Sequence, residues 1–204
     1  NWAREERIIN LSYFVPYAYP FFAHVDPEGD WMGVIDVGYD LLERTLAPRD
    51  TKLIPDFMVV SQTGAVQPLP RGSKLSRDFS FDAVRIFWRI AADCRLHHRR
   101  AACGDPLQVS RLNGVLVRDG TIFTRYSTLG EPLTSDQSLS FYGSVLPALR
   151  LHAPALADQI MQTALTDRAL ESLGAASDRY YDRNWVWFGI ALDGGLLGDR
   201  TSSP

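Results

Sequence analysis

Hydrophobic positions along this chain recur mostly at helical spacing. Between residues 31 and 46, Trp31, Val34, Ile35, Tyr39, Leu41, Leu42 and Leu46 form one broad apolar face, and Pro48 follows. Such spacing predicts an amphipathic helix that stops before the proline. The stretch FSFDAVRIFWRIAADC opens another helix, over about 81–102, with Gly104 and Pro106 beyond it. Between these two, residues 49–78 hold Pro55, Gly64, Pro68, Pro70 and Gly72. They read as an irregular connector with a short hairpin at 57–67. A short helix is predicted over 16–23, and three more near 136–151, 154–172 and 179–192. Asp119-Gly120 lies between apolar runs and predicts a second hairpin over 113–123.

The pattern is therefore all-α, with small hairpins in long loops. Long loops inside a compact domain usually carry function, and they suit a small four-helix bundle poorly. The broad aromatic faces suit a larger helical assembly in which helices pack on two sides. At 204 residues and 46% hydrophobic, the chain can bury a sizeable core as one domain or part of one. A net charge of −3 argues against a general nucleic-acid binder. No apolar run approaches the roughly 20 residues that span a bilayer. The chain opens at Asn1, in mid-pattern and without a signal peptide, and reads as a processed or truncated piece. Cys94 and Cys103 are nine residues apart; on one continuous helix their Cα atoms would stand roughly 13 Å apart, beyond the reach of a bridge. Two free thiols are expected.

Candidate chemistry centres on Asp82 and Arg85, an acid and a base among Phe79, Phe81, Val84, Ile86, Phe87 and Trp88. One reading is a structural ion pair near a helix start, where the dipole favours a carboxylate. The other is a catalytic or ligand-binding carboxylate in an aromatic-lined cleft, since sugar rings stack on flat side chains while their hydroxyls seek charged partners. Two further aromatic stretches are INLSYFVPYAYPFFA (9–23) and DRYYDRNWVWFGIAL (178–192). Each alone reads more simply as core. His97-His98 lacks the i,i+4 spacing of a metal pair, and LDGGLLGDR follows a helix and lacks the lysine of a phosphate loop. No metal and no cofactor is expected.

Taken in order, NLSYF, WMGVIDVGYDLL, LIPDF, FSFDAVRI and YYDRNWVWFGIAL resemble glycoside hydrolase family 8, which contains bacterial endo-β-1,4-glucanases, including the periplasmic cellulase of cellulose-synthesis operons. The resemblance runs from Asn10 to about Leu192. It implies an (α/α)6 barrel, incomplete here for want of N-terminal helices, with residues 1–204 the C-terminal part of one catalytic domain. It implies inverting, endo-acting hydrolysis of β-1,4-glucan. Asp82 aligns with the general base and Tyr13 with a tyrosine that helps hold the nucleophilic water. Arg85 would orient Asp82 or touch a sugar hydroxyl. Asn10, Tyr180 and Tyr181 would contact substrate. The implied location is periplasmic or secreted.

Departures are Leu11 for proline, Phe57 for tryptophan and Phe81 for tyrosine; the last removes a hydroxyl beside the base. The family's general acid is a glutamate upstream of the Asn-x-Ser-Tyr element, and Glu5 and Glu6 lie too close to that element to be it. The chain is therefore expected to carry the base without the acid, to be inactive alone, and to have the missing N-terminal part as a partner. Xylan, chitosan and mixed-linkage glucan remain open as substrates. The rival class is a helical carbohydrate-binding or interaction protein without catalysis.

Overall fold

The computed structural model describes residues 6–109, 114–115 and 121–197. Three long helices that share one direction position the candidate site: α3 (Arg85–His97), α5 (Leu139–His152) and α8 (Tyr180–Asp193). Helix α5 is central. Every residue from Ser140 to Leu149 is buried, as expected of a helix apolar on all sides. Small residues let α8 approach it closely. A Cβ placed on Gly189 would lie 2.1 Å from the Gly143 carbonyl oxygen, so only glycine permits this crossing.

Pairings along the two helices show their sense. Ser140 meets Asp182, Gly143 meets Gly189, and Arg150 meets Asp193, so both numberings rise together. Helix α3 rises with them. The Phe81 ring lies by Tyr181, Trp88 Nε1 donates to the Phe188 carbonyl at 2.8 Å, and Arg95 donates to the Leu192 carbonyl at 3.0 Å. The N-terminal ends of three helices thus gather at one end of the molecule, where their dipoles favour negative charge.

Helix α2 (Trp31–Leu46) occupies the predicted span, with Asp30 capping it by accepting from the Gly33 N–H at 3.0 Å. Its Ile35, Leu42 and Leu46 are fully buried. Its Tyr39 hydroxyl donates to Asp93 at 2.6 Å; this carboxylate has no exposure and also pairs with Arg99 at 3.0 Å. Helix α1 (Tyr19–Val25) precedes it. The helix predicted over 154–172 is two, α6 (Pro154–Thr163) and α7 (Asp167–Ala175). Thr166 divides them, because its hydroxyl caps α7 through the Ala169 N–H.

Strands β1 (Glu6–Ile9), β2 (Met58–Ser61) and β3 (Val66–Pro68) form an antiparallel sheet in that order. The β2–β3 hairpin is the one expected at 57–67, with Gly64 at φ +79° in its turn. The hairpin expected over 113–123 lies largely outside the described residues. No helix among the described residues is long and apolar enough to cross a membrane.

The expectation of two free thiols is overturned. Helix α3 ends at His97, and His98 takes a left-handed conformation at φ 49°. The chain turns back there into the short α4 (Arg100–Cys103). The Cα atoms of Cys94 and Cys103 come within 4.9 Å, and the two form a disulfide. The distance argued from a continuous helix fails because the helix does not continue.

Candidate active site

Asp82 lies in a turn over residues 81–84, ahead of α3 rather than inside it, so the predicted helix start at 81 is four residues early. The turn is fixed from outside. Asp56, only 4% exposed, accepts through Oδ1 from the Ser80 N–H at 3.0 Å and the Ala83 N–H at 2.8 Å, gripping both sides of Asp82. Burial pushes the Asp56 carboxyl above the usual range, against the lowering effect of those hydrogen bonds. Just before the turn, Phe79 exchanges two backbone hydrogen bonds with Tyr126, at 2.9 and 3.0 Å, and its ring is fully buried.

The Asp82 side chain is one-third exposed and ion-pairs with Arg85. Arg85 is itself held in place. Its Nη2 donates to Ser12 Oγ at 2.8 Å, its Nε donates to the Asp82 carbonyl at 3.3 Å, and its guanidinium carbon stands 5.4 Å from the centre of the Tyr13 ring. A guanidinium at that distance is attracted to the ring face. Ser12 and Tyr13 belong to a single 3-10 turn, Leu11–Tyr13. Asn10 starts it by accepting from the Ser12 N–H at 2.9 Å through Oδ1, while its buried Nδ2 has no hydrogen-bond partner. Seventy-odd residues of sequence separate these two segments, and Arg85 ties them together.

Tyr181 donates its hydroxyl proton to the Phe81 carbonyl at 2.9 Å, and its ring lies 5.7 Å from that of Phe81. Burial, with the Asp82 charge adding and Arg85 opposing, pushes its phenol up to about 12, so it stays a donor at neutral pH. Tyr180 sits elsewhere on the helix surface, 76% exposed. Successive helical residues point about 100° apart, so the paired tyrosines do not share a face. Asp182 anchors the start of α8. It accepts from Ser138 Oγ, from the Ser140 N–H at 3.0 Å and from Arg179 Nε at 3.0 Å. Burial alone would raise its carboxyl, but these bonds outweigh burial and hold it below the usual range.

The structure thus brings Tyr13, Asp82, Arg85 and Tyr181 to one place, sets Asn10 beneath them as a cap, and leaves Tyr180 at the rim. Asp56 was legible only as part of the LIPDF stretch, and nothing in sequence marked its grip on a turn more than twenty residues away. The Asp82 carboxylate stands on an open face. Cavities of about 470 Å³, beside Tyr142 and Arg179, and about 500 Å³, beside Tyr39 and Arg99, lie elsewhere. A fixed, part-exposed carboxylate paired with a guanidinium beside exposed aromatic rings has the chemistry to activate a water.

No family model matches the chain. Among curated proteins it is similar to Endoglucanase A of Acetivibrio thermocellus, 29% identical over 144 residues, covering 69% of this chain and 28% of that protein. It is also similar to Endoglucanase C of Ruminiclostridium cellulolyticum, 31% identical over 86 residues, covering 42% of this chain and 17% of that protein. Among solved structures it superposes on a β-1,3-1,4-glucanase from Paenibacillus sp. X4, with a TM-score of 0.73 and 19% identity over 92% of this chain and 50% of that one. It likewise superposes on a GH8 enzyme from Teredinibacter turnerae in complex with xylobiose, with a TM-score of 0.64 and 21% identity over 91% and 45%. The sequence resemblance to glycoside hydrolase family 8 is borne out. So is the helical fold: the chain follows about half of such an enzyme, consistent with an incomplete (α/α)6 barrel. The chain spans about half the length of these structures and less than a third of the curated relatives.

Proposed function

We propose that this chain is the base-bearing half of an inverting glycoside hydrolase that cleaves β-1,4-glucan internally. The observation that carries the reading is the convergence of Asp82, Arg85, Tyr13 and Tyr181 where three parallel helices begin. Its relatives' names, all endoglucanases, support glucan as the substrate.

Asp82 takes a proton from a water that attacks the anomeric carbon. Tyr13 helps hold that water, and Arg85 keeps the carboxylate aimed. A carboxylic acid from the remainder of the polypeptide protonates the leaving oxygen. The two carboxyl groups stand roughly 6.5–9.5 Å apart, leaving room for the water. Attack from the face opposite the leaving group converts a β-linkage into an α-hemiacetal. Asn10 acts through the turn that carries Ser12 and Tyr13, while Tyr181, Phe81 and, at the rim, Tyr180 offer ring surfaces to glucose units. The Cys94–Cys103 disulfide supports a periplasmic or secreted location, since such bonds persist in oxidising compartments.

Proton NMR of cello-oligosaccharide hydrolysis by the complete polypeptide tests the reading. The α-anomer should appear first. Initial release of the β-anomer, or faster cleavage of xylo-oligosaccharides than of cello-oligosaccharides, would overturn the mechanism or the substrate respectively.

A further inference from the structure

Arg89 lies one turn beyond Arg85 on α3, on the same face of the helix. The surrounding positions, Ile86, Phe87, Trp88, Ile90 and Ala91, are buried in the core. Unlike Arg85, Arg89 meets no counter-charge among the described residues. Among the described residues no carboxylate forms an ion pair with it, and its Nε is buried without a hydrogen-bond partner. Tyr17, which hydrogen-bonds it through its side chain, Tyr19 at the start of α1, and Arg85 from its own helix act on it. None of the three is a carboxylate, and Arg85 carries the same charge. Tyr17 is in turn fixed beside Trp88, with ring centres 5.5 Å apart, and its carbonyl meets His97 at 2.9 Å.

A desolvated guanidinium without an anion is costly, and proteins resolve the cost by pairing it. Burial, with the like charge of Arg85 adding and Tyr17 and Tyr19 opposing, pulls its pKa down. The position says which anion fits. At about 1.5 Å per residue, Arg89 lies roughly 6 Å deeper along α3 than Arg85, away from the helix ends where substrate would meet Asp82. A side chain from a neighbouring helix reaches that depth, whereas a polysaccharide lying across the helix ends does not.

We propose that Arg89 is the receptor for an Asp or Glu side chain carried by the part of the polypeptide that completes the barrel, and that this ion pair closes the barrel beneath the catalytic carboxylate. The inference rests on the reading of the chain as half of a hydrolase domain, and it adds the contact through which the halves recognise each other. Arg85 serves the reacting end of the face, and Arg89 serves assembly.

The test is thermal melting of the complete polypeptide, as parent and as Arg89→Met, at pH 7 and pH 3. A carboxylate paired with Arg89 has a folded-state pKa below its unfolded value near 4. Its contribution is present above about pH 4 and is lost as pH falls through the lower, folded value. Arg89→Met should therefore melt about 5 °C or more below the parent at pH 7, and the gap should narrow at pH 3. An equal gap at both pH values would mean lost packing alone and would overturn the proposal, as would no gap at pH 7. If Arg89→Met does not fold, a crystal structure of the complete parent decides. It should show a carboxylate oxygen within 4 Å of the Arg89 guanidinium; a guanidinium facing only water and carbonyls overturns the proposal. Failure of the hydrolase reading shows separately, as retained turnover when Asp82 is replaced, and leaves these melts unaffected.

Discussion

Replacing Asp56 with alanine should damage turnover through a residue that never touches substrate. Asp56 Oδ1 accepts two backbone N–H groups, from Ser80 at 3.0 Å and Ala83 at 2.8 Å, and those residues bracket Asp82. Alanine leaves both donors without their acceptor, at about 1–3 kcal/mol each. With partial recovery by entering water, a loss of roughly 2–4 kcal/mol is expected. The released turn lets Asp82 shift, and a displacement of about 1 Å at a reacting group can cost on the order of 10²-fold in rate. Asp56→Asn separates hydrogen bonding from charge. Asparagine keeps the accepting oxygen and removes a buried negative charge whose folded pKa is raised. For a carboxyl shifted upward, the stability it contributes is present at low pH and lost as pH rises through the folded pKa. Asp56→Asn should therefore match or exceed the parent's stability at pH 7 and keep most of its rate. Urea melts and initial rates on soluble cellulose, all in the complete polypeptide, give both readouts. Asn as harmful as Ala would show that the charge matters rather than the two hydrogen bonds. Parental behaviour of Asp56→Ala would refute the positioning role.

Reducing the Cys94–Cys103 bond, which closes a loop of nine residues, should cost roughly 2.5 kcal/mol on the loop-entropy estimate. Calorimetry with and without a phosphine reductant measures it, and thiols that titrate in the unreduced protein would contradict the bond. Asp182→Asn should melt several degrees below the parent at pH 7. Because the Asp182 carboxyl is held below its usual range, that gap should narrow as pH falls below about 4, and a gap constant with pH would show that its anchoring does not depend on charge.

What sequence revealed depended on how local each feature is. Helix α2 was legible to the residue because its apolar face and the Pro48 that follows lie within twenty positions. Strand β1 was not foreseen, because it is four residues long and its partner β2 lies some fifty residues further on. The disulfide was misjudged because the left-handed turn at His98 ends α3, and histidine does not announce such a turn as glycine would. Asp82 and Arg85 stood out as an acid and a base among apolar side chains, Tyr13 came from the resemblance, and the structure places the three together. Tyr180 and Tyr181 looked equivalent in sequence, but helical geometry lets only Tyr181 face Phe81. The carboxylate grip of Asp56, and the lack of a counter-charge on Arg89 among the described residues, were invisible, since each depends on what the fold brings near a single side chain.

The central claim is that Asp82 removes a proton from the attacking water, and Asp82→Asn in the complete polypeptide tests it most directly. Asparagine keeps the shape and loses the basic oxygen. General-base catalysis contributes on the order of 10²–10⁴-fold, so kcat on soluble cellulose derivatives should fall by that factor. Oligosaccharide affinity should stay near the parent's, because Tyr13, Phe81 and Tyr181 remain in place. A variant with near-parental kcat and a lowered melting temperature would contradict the claim and make Asp82 the anchor of a structural ion pair with Arg85.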